Sequence, residues 1–225
     1  PLLMKKLLYT LAAIISLLLV IATWQRWIPF DLMEVLGFVT GGWTVWLTVK
    51  ENIWSWPIGI ANSVFFLVLF LRSNLFADAG LQIVYIVLGA LGWYWWLYGG
   101  AQKTQLKIER VGKKTVLVLS ALTIVCTWLM TIRLTHMHDA APFLDALTTV
   151  LSLVAQYLLT KKYLENWYVW MFVDVIYVAL YGYKDLYLTA FLYFLFFCMC
   201  VRGFMEWKRT AQKSVAVADE QYAHV

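Results

Sequence analysis

A chain of 225 residues that is 63% hydrophobic and only 14% charged has too little polar sequence to coat a water-soluble domain, for which about 45–50% apolar residues is usual. Its mean hydropathy of +0.72 marks an integral membrane protein, with no polar stretch long enough for a separate soluble domain. The formal charge of +5 comes from lysines and arginines in the breaks between apolar runs, which suits the inner face of a membrane and not a nucleic-acid partner.

A spanning helix needs about 20 mostly apolar residues. Eight are predicted, over 7–24, 32–49, 53–72, 75–98, 113–133, 143–160, 166–182 and 186–207. The first follows Met4-Lys5-Lys6 and resembles a signal peptide's start, but its apolar part is long for one and no small-x-small cleavage site follows, so it is expected to span. The breaks carry charge or turn residues: Pro29-Phe30-Asp31, Lys50-Glu51-Asn52, Arg72-Ser73-Asn74, the basic stretch Lys103 to Lys114, Ala141-Pro142, Lys161-Lys162 and Lys184-Asp185. With the N-terminus inside, the inner set of basic residues is Lys5, Lys6, Lys50, Lys103, Lys107, Arg110, Lys113, Lys114, Lys161, Lys162, Arg202, Lys208, Arg209 and Lys213. The outer set is Arg26, Arg72, Arg133 and Lys184, so the bias of 14 to 4 supports the span count and puts both termini in the cytoplasm.

Two segments resemble each other. Glu51-Asn52-Ile53-Trp54-Ser55-Trp56 aligns with Glu165-Asn166-Trp167-Tyr168-Val169-Trp170 at an offset of 114, and Gly92 and Trp96 align with Gly203 and Trp207 at 111. The expected fold is therefore all-α: two parallel three-helix repeats joined by a linker helix and preceded by an N-terminal helix. The divisions are 1–31 for that first helix, 32–100 for the first repeat, 101–140 for a basic cytoplasmic loop and the linker, 141–209 for the second repeat, and 210–225 for a cytoplasmic tail. Repeat-built carriers bind their cargo near midplane between the repeats.

One carboxylate stands out. Asp174 lies inside the run from Trp167 to Leu180, which holds no other charge. An ionisable group within a span is costly and marks a ligand site or pathway, or else a structural hydrogen bond to a neighbouring helix. Asn166, Trp170 and Asp174 share its face at i, i+4 and i+8, extended by Tyr177. At 1.5 Å per residue Asp174 is about 12 Å from Asn166, close to midplane. Helix three offers Trp56 and Asn62, helix four Asp78, Gln82 and Tyr85, helix six Gln156, and helix two Trp43 and Trp46; together these are the candidate substrate-binding residues. Against this, Asp78 could be a helix cap, Thr148 and Ser152 could serve helix packing, and Trp24, Trp27, Trp95, Tyr98, Trp167 and Trp207 read as interfacial anchors.

Such a lining suits a flat ring with hydroxyl and amide groups, and a cationic ring would satisfy both indole faces and a buried carboxylate. Cys126, Cys198 and Cys200 read as small buried hydrophobes, with Cys198 and Cys200 on different sides of one helix. His136, His138 and Asp139 read as a solvated loop, and no metal, cofactor or catalytic set is expected. A membrane enzyme would need paired acids or a nucleophile–base pair, a retinal receptor a deep lysine, and a channel a filter motif; none is present in the sequence.

The stretch Trp54-Ser55-Trp56-Pro57-Ile58-Gly59-Ile60-Ala61-Asn62-Ser63, with Leu75-Phe76-Ala77-Asp78-Ala79-Gly80-Leu81-Gln82 and Gly92-Trp93-Tyr94-Trp95-Trp96, resembles the bacterial PnuC-type nicotinamide riboside transporters, over about residues 32–207. The resemblance implies a three-plus-one-plus-three core related to the SWEET fold, a homotrimer in the bacterial inner membrane, and facilitated diffusion of nicotinamide riboside. It also implies net uptake driven by a cytoplasmic nicotinamide riboside kinase. Asn62, Gln82, Gln156 and Asp174 would bond the ribose or carboxamide, and Trp and Tyr rings would hold the pyridinium. A carrier of another vitamin, nucleoside or sugar on the same fold is the alternative.

Overall fold

The computed structural model describes residues 2–73, 76–137, 141–183 and 187–223. The segments with His138, Asp139 and Lys184-Asp185 lie outside these residues. Eight helices follow in chain order: α1 (Leu2–Trp24), α2 (Leu32–Val49), α3 (Ser55–Arg72), α4 (Phe76–Tyr98), α5 (Lys113–His136), α6 (Pro142–Thr160), α7 (Asn166–Tyr183) and α8 (Tyr187–Ala223). The boundaries have local causes. Asp31 caps α2, its carboxylate accepting the Met33 N–H at 2.8 Å. Pro142 opens α6, where a missing N–H costs nothing. The last helix runs far past the predicted end at 207, because nothing between Lys208 and Ala223 breaks it.

Six helices, α2 to α6 and α8, are long and apolar enough to cross a membrane. In α7 the hydropathy is diluted by Asn166, Asp174 and the Trp and Tyr residues around them. The packing is a closed ring: α2 on α3, α3 on α4, α4 on α6, α6 on α7, α7 on α8, and α8 back on α2. Outside the ring α1 lies against α2, and α5 against α6. Most of α5 is exposed, Leu117 and Ile124 by more than two thirds, as a lipid-facing helix requires.

Several contacts of the two halves match at one spacing. Trp56 packs edge-on to Trp96 with ring centroids 5.3 Å apart, and Trp167 packs edge-on to Trp207 at the same 5.3 Å. Trp96 Nε1 donates to the Leu159 carbonyl at 3.1 Å, and Trp207 Nε1 to the Thr48 carbonyl at 3.0 Å. Every corresponding residue lies 111 positions further along. The α2–α3 and α6–α7 turns agree likewise: Glu51 N–H bonds to Thr48 and Asn52 N–H to Leu47, while Lys162 N–H bonds to Leu159 and Tyr163 N–H to Leu158. Glu51 and Lys162 are both left-handed, with φ of 54° and 57°. This corrects the register expected for α3 and α7: Trp56 corresponds to Trp167, not Trp170, and the offset of 114 arose because the sequence around Trp54 and Trp56 can be laid on Trp167 and Trp170 in two ways.

Gly92 and Gly203 let the indoles in. A Cβ on Gly92 would collide with the Trp56 ring, and one on Gly203 with the Trp167 ring. Gly203→Leu is therefore expected to lower thermal stability in detergent by about 1–3 kcal/mol, the usual range for overpacking, read by intrinsic tryptophan fluorescence during a melt. The control Gly112→Leu, where a Cβ meets nothing within 4 Å, should leave the midpoint nearly unchanged.

Candidate functional site

Inside the ring lies a cavity of about 500 Å³, the size of a small-molecule pocket. Helix α7 contributes Asn166, Trp170, Asp174 and Tyr177, the face that its i, i+4, i+8 spacing dictates. From α3 come Trp56, Asn62 and Ser63, from α4 Asp78, Gln82 and Tyr85, and from α6 Ser152 and Gln156. The sequence thus brings together ten of the twelve candidates named above. Trp43 and Trp46 are not part of the lining. On α2 the inward positions are Gly41, Thr44, Val45 and Thr48, and the two tryptophans fall on the face covered by α1. Trp43 Nε1 donates to Ser16 Oγ at 3.2 Å, and the Trp46 ring sits 6.0 Å from Tyr9.

Helix α8 supplies Tyr193, Phe196 and Cys200, which sequence reasoning passed over. Their i, i+3, i+7 spacing was the available signal. Tyr177, Tyr181 and Tyr193 form one aromatic wall, with Tyr193 centroids 4.5 Å from Tyr177 and 5.4 Å from Tyr181. Asp174 is 5% exposed, and its nearest bonded neighbour is the Cys200 thiol, donating to Oδ2 at 3.5 Å. Cys200 is therefore more than a small hydrophobe, and Cys126 and Cys198 are exposed where burial was expected, although Cys198 does lie on a different side of α8 from Cys200. Among the described residues no lysine or arginine lines the cavity, and there the carboxylate faces it without a cationic partner. Asn62 turns its amide nitrogen to α2, donating to the Gly37 carbonyl and to Thr40 Oγ1. Among the described residues no group of three or more metal-ligating side chains occurs.

Positions 111 apart line the chamber in pairs that differ in chemistry, among them Gly41 and Ser152, Val45 and Gln156, Ser63 and Asp174, Phe66 and Tyr177, Gln82 and Tyr193, Gly89 and Cys200. The polar member is not always in the second half: Thr48 answers Leu159, Asn62 answers Val173 and Tyr85 answers Phe196.

One end of the cavity is shut. Trp56, Trp96, Trp207 and Trp167 form a row, with the central pair 5.6 Å apart, packed with Val49, Leu159 and Leu164. Trp167 and Trp207 are 2% and 0% exposed, so both belong to this plug and are not interfacial anchors, whereas Trp24 and Trp27 are exposed. Two ion pairs tie the same end, Lys50 to Glu206 at 2.6 Å and Lys162 to Glu51 at 3.0 Å. A strap of chain (residues 101–112) crosses it: Leu106 N–H bonds to Trp96, Lys162 Nζ to the Leu106 carbonyl, and Leu164 N–H to the Glu109 carbonyl. On the cavity floor Trp56 Nε1, Trp167 Nε1 and Asn166 Oδ1 have no hydrogen-bond partner among the described residues. Asp78, exposed at the start of α4, lines the opposite end.

A helical ring around a polar, ring-lined chamber with one plugged end is the build of a membrane carrier for a small organic molecule. Residues 31–209 match the nicotinamide mononucleotide transporter family, and the chain belongs to that family. It is 26% identical over 207 residues to the nicotinamide riboside transporter PnuC of Escherichia coli (strain K12), covering 80% of this chain and 87% of the relative. The nicotinamide riboside transporter PnuC of Neisseria mucosa is 25% identical over 198 residues, covering 82% and 75%. The riboflavin/roseoflavin transporter RibM of Streptomyces davaonensis is 23% identical over 180 residues, covering 77% and 83%. In fold the chain is similar to the crystal structure of the vitamin B3 transporter PnuC, with a TM-score of 0.65 and 23% identity over 90% of this chain and 92% of that one.

If the indole–carbonyl bonds hold the plug shut, Trp96→Phe should loosen it. One such bond is worth about 0.5–1.5 kcal/mol, or roughly a two- to tenfold rise in open population. Labelling of Cys200 by a membrane-impermeant polar thiol reagent, applied from the plugged side to vesicles carrying the protein in a Cys126→Ser, Cys198→Ser background, should accelerate by that factor. An unchanged rate would show that the plug is held elsewhere.

Proposed function

We propose that the protein carries nicotinamide riboside across the membrane by facilitated diffusion, with net import driven by phosphorylation inside the cell. The observation that carries this reading is Asp174: a buried carboxylate beside a tyrosine wall, in a cavity with no lysine or arginine among the described residues that line it. A fixed pyridinium cation neutralises that carboxylate and stacks on aromatic faces. Gln82, Gln156 and Asn62 suit its hydroxyls and carboxamide. The family's label names the mononucleotide, but a phosphate brought beside Asp174 with no cation to receive it would be repelled. The riboside is the better fit, and two relatives bear its name.

On this reading the plugged end, where Lys50, Lys161, Lys162, Arg202 and the strap lysines gather, faces the cytoplasm together with both termini, and the carrier is a homotrimer of independent pathways in the bacterial inner membrane. A cytoplasmic riboside kinase would trap the product by adding the phosphate that the chamber rejects. A second reading, a carrier of another vitamin such as riboflavin, is favoured by the likeness to RibM. The two differ in charge, because riboflavin is neutral where the riboside is cationic.

Calorimetry on the purified protein separates them. Nicotinamide riboside should bind, and Asp174→Asn should weaken it by at least tenfold, the loss of a charge-assisted contact of about 1.5–3 kcal/mol. Trp43→Phe, outside the cavity, should leave affinity unchanged. Tighter binding of riboflavin, indifferent to Asp174→Asn, would overturn the riboside reading in favour of the second.

A further inference from the structure

A second cavity, of about 480 Å³, lies outside the ring at the plugged end. Ile108, Glu109 and Arg110 of the strap form one wall, Leu164 the floor, and Lys208, Ala211 and Gln212 of α8 the other wall. Its α8 wall has no counterpart on α4. The positions 111 before Lys208 and Ala211 are Leu97 and Gly100, where α4 is ending and the chain turns into the strap. The cavity exists because α8 outruns α4 and the strap lies beside the surplus length. It is therefore no part of the duplicated pathway.

The strap wall is held in place. Glu109 N–H bonds to the Lys162 carbonyl at 3.3 Å, Leu164 N–H to the Glu109 carbonyl at 2.9 Å, and Val111 N–H to Glu165 Oε2 at 3.0 Å. Within this fixed frame Arg110, Lys208 and Glu109 are exposed and make no ion pair among the described residues, although opposite charges share the cavity. Leu164, 3% exposed, and Ile108 give it an apolar base. The apolar run of α8 ends at Trp207, so Lys208 and Ala211 open the polar part of the helix, within a turn of the point where a span of about 20 apolar residues leaves the bilayer core.

We infer that this cavity binds the headgroup of a phospholipid in the leaflet at the strap end, of the kind that pairs a phosphodiester with a primary ammonium. Arg110 and Lys208 receive the phosphate, Glu109 the ammonium, and the Ile108–Leu164 base the first carbons of the glycerol and acyl chains. Two cations without a carboxylate would suit a purely anionic headgroup. Glu109 shifts the preference to the zwitterionic one. Basic pockets at the cytoplasmic ends of spanning helices recognise headgroups in this way, and a bound lipid would brace the strap that crosses the plug.

The test is native mass spectrometry of the full chain from vesicles of equal phosphatidylethanolamine and phosphatidylglycerol. The wild type should keep phosphatidylethanolamine in preference. Two cations near a membrane surface are worth about 1 kcal/mol each, so the double variant Arg110→Gln, Lys208→Gln should lose roughly 30-fold in retention. Ala211→Trp, which fills the cavity without changing charge, should lose it as well, and Glu109→Gln should turn the preference toward phosphatidylglycerol. Soluble phosphoethanolamine should fail to displace the lipid. Equal retention by wild type and both cavity variants, or displacement by soluble phosphoethanolamine at matched concentration, would overturn the assignment. Riboside binding is measured alongside and should persist in every variant, which keeps this result separate from that of the transport reading.

Discussion

The ring closes through two indole N–H groups. Helices of one half meet those of the other chiefly along α4–α6 and α8–α2, and each seam carries one tryptophan donating to a carbonyl across it, Trp96 to Leu159 and Trp207 to Thr48. Apolar side chains gain little from meeting one another in lipid, because acyl chains are equally apolar, so helix association there rests on close packing and on hydrogen bonds between helices. The indoles supply both. They fill the plug with ring contacts of 5.3 to 5.6 Å, and they add a second donor to the Thr48 and Leu159 carbonyls at the C-terminal turns of α2 and α6, which already accept from the Glu51 and Lys162 N–H groups. Gly92 and Gly203 are the condition for this, since only a residue without a side chain admits Trp56 or Trp167 at that depth.

From that shared frame the halves diverge where they face the cavity. Ser63 and Asp174 occupy corresponding positions, both buried, as do Gln82 and Tyr193, and Gly89 and Cys200. Packing constrains the plug, so tryptophan answers tryptophan there. A cavity wall is not constrained by a facing side chain, and each half can take a different chemistry. An asymmetric molecule held on a near-symmetric axis needs that difference, because a symmetric lining would offer two equivalent poses and bind neither selectively.

The helices were legible because the spacing of apolar runs is set by bilayer thickness, and their breaks by Lys50-Glu51-Asn52, Pro142 and similar turn residues. Asp174 was legible as the charge that had no business in its span. Gln82, Gln156 and Tyr85 followed from helical periodicity on α4 and α6. What periodicity cannot give is the phase of a helix that is apolar all round. On α2 the Trp43 and Trp46 side chains looked more site-like than Gly41 or Thr44, yet α1 lies over the tryptophans and leaves the small residues inward. The same limit hid Tyr193 on α8, where aromatic residues surround the helix. Trp207 looked like an anchor because it ends an apolar run, and only the path of α8 beyond it shows that the helix does not stop at the interface. The register of α3 against α7 failed for a related reason, as repeated tryptophans align almost as well when shifted by three.

The turn between α2 and α3 shows why the two halves could not remain identical. Glu51 corresponds to Lys162, and these two residues meet each other across the pseudo-axis at 3.0 Å. Any residue at such a position faces its own counterpart. An exact duplicate would set glutamate against glutamate, or lysine against lysine, in a site where both side chains are largely shielded, and like charges so placed repel strongly. Opposite charge at this one pair removes the conflict and fastens the halves at the plug. Next to it the same pressure is met differently: Lys50 pairs with Glu206, while the corresponding Lys161 lies 3.5 Å over the Trp95 ring. A carboxylate and an indole face both hold an ammonium, so the second half keeps the cation without a second acid. The closed end is thus symmetric in what it holds and asymmetric in how, and the cavity above it carries the same asymmetry into the choice of ligand.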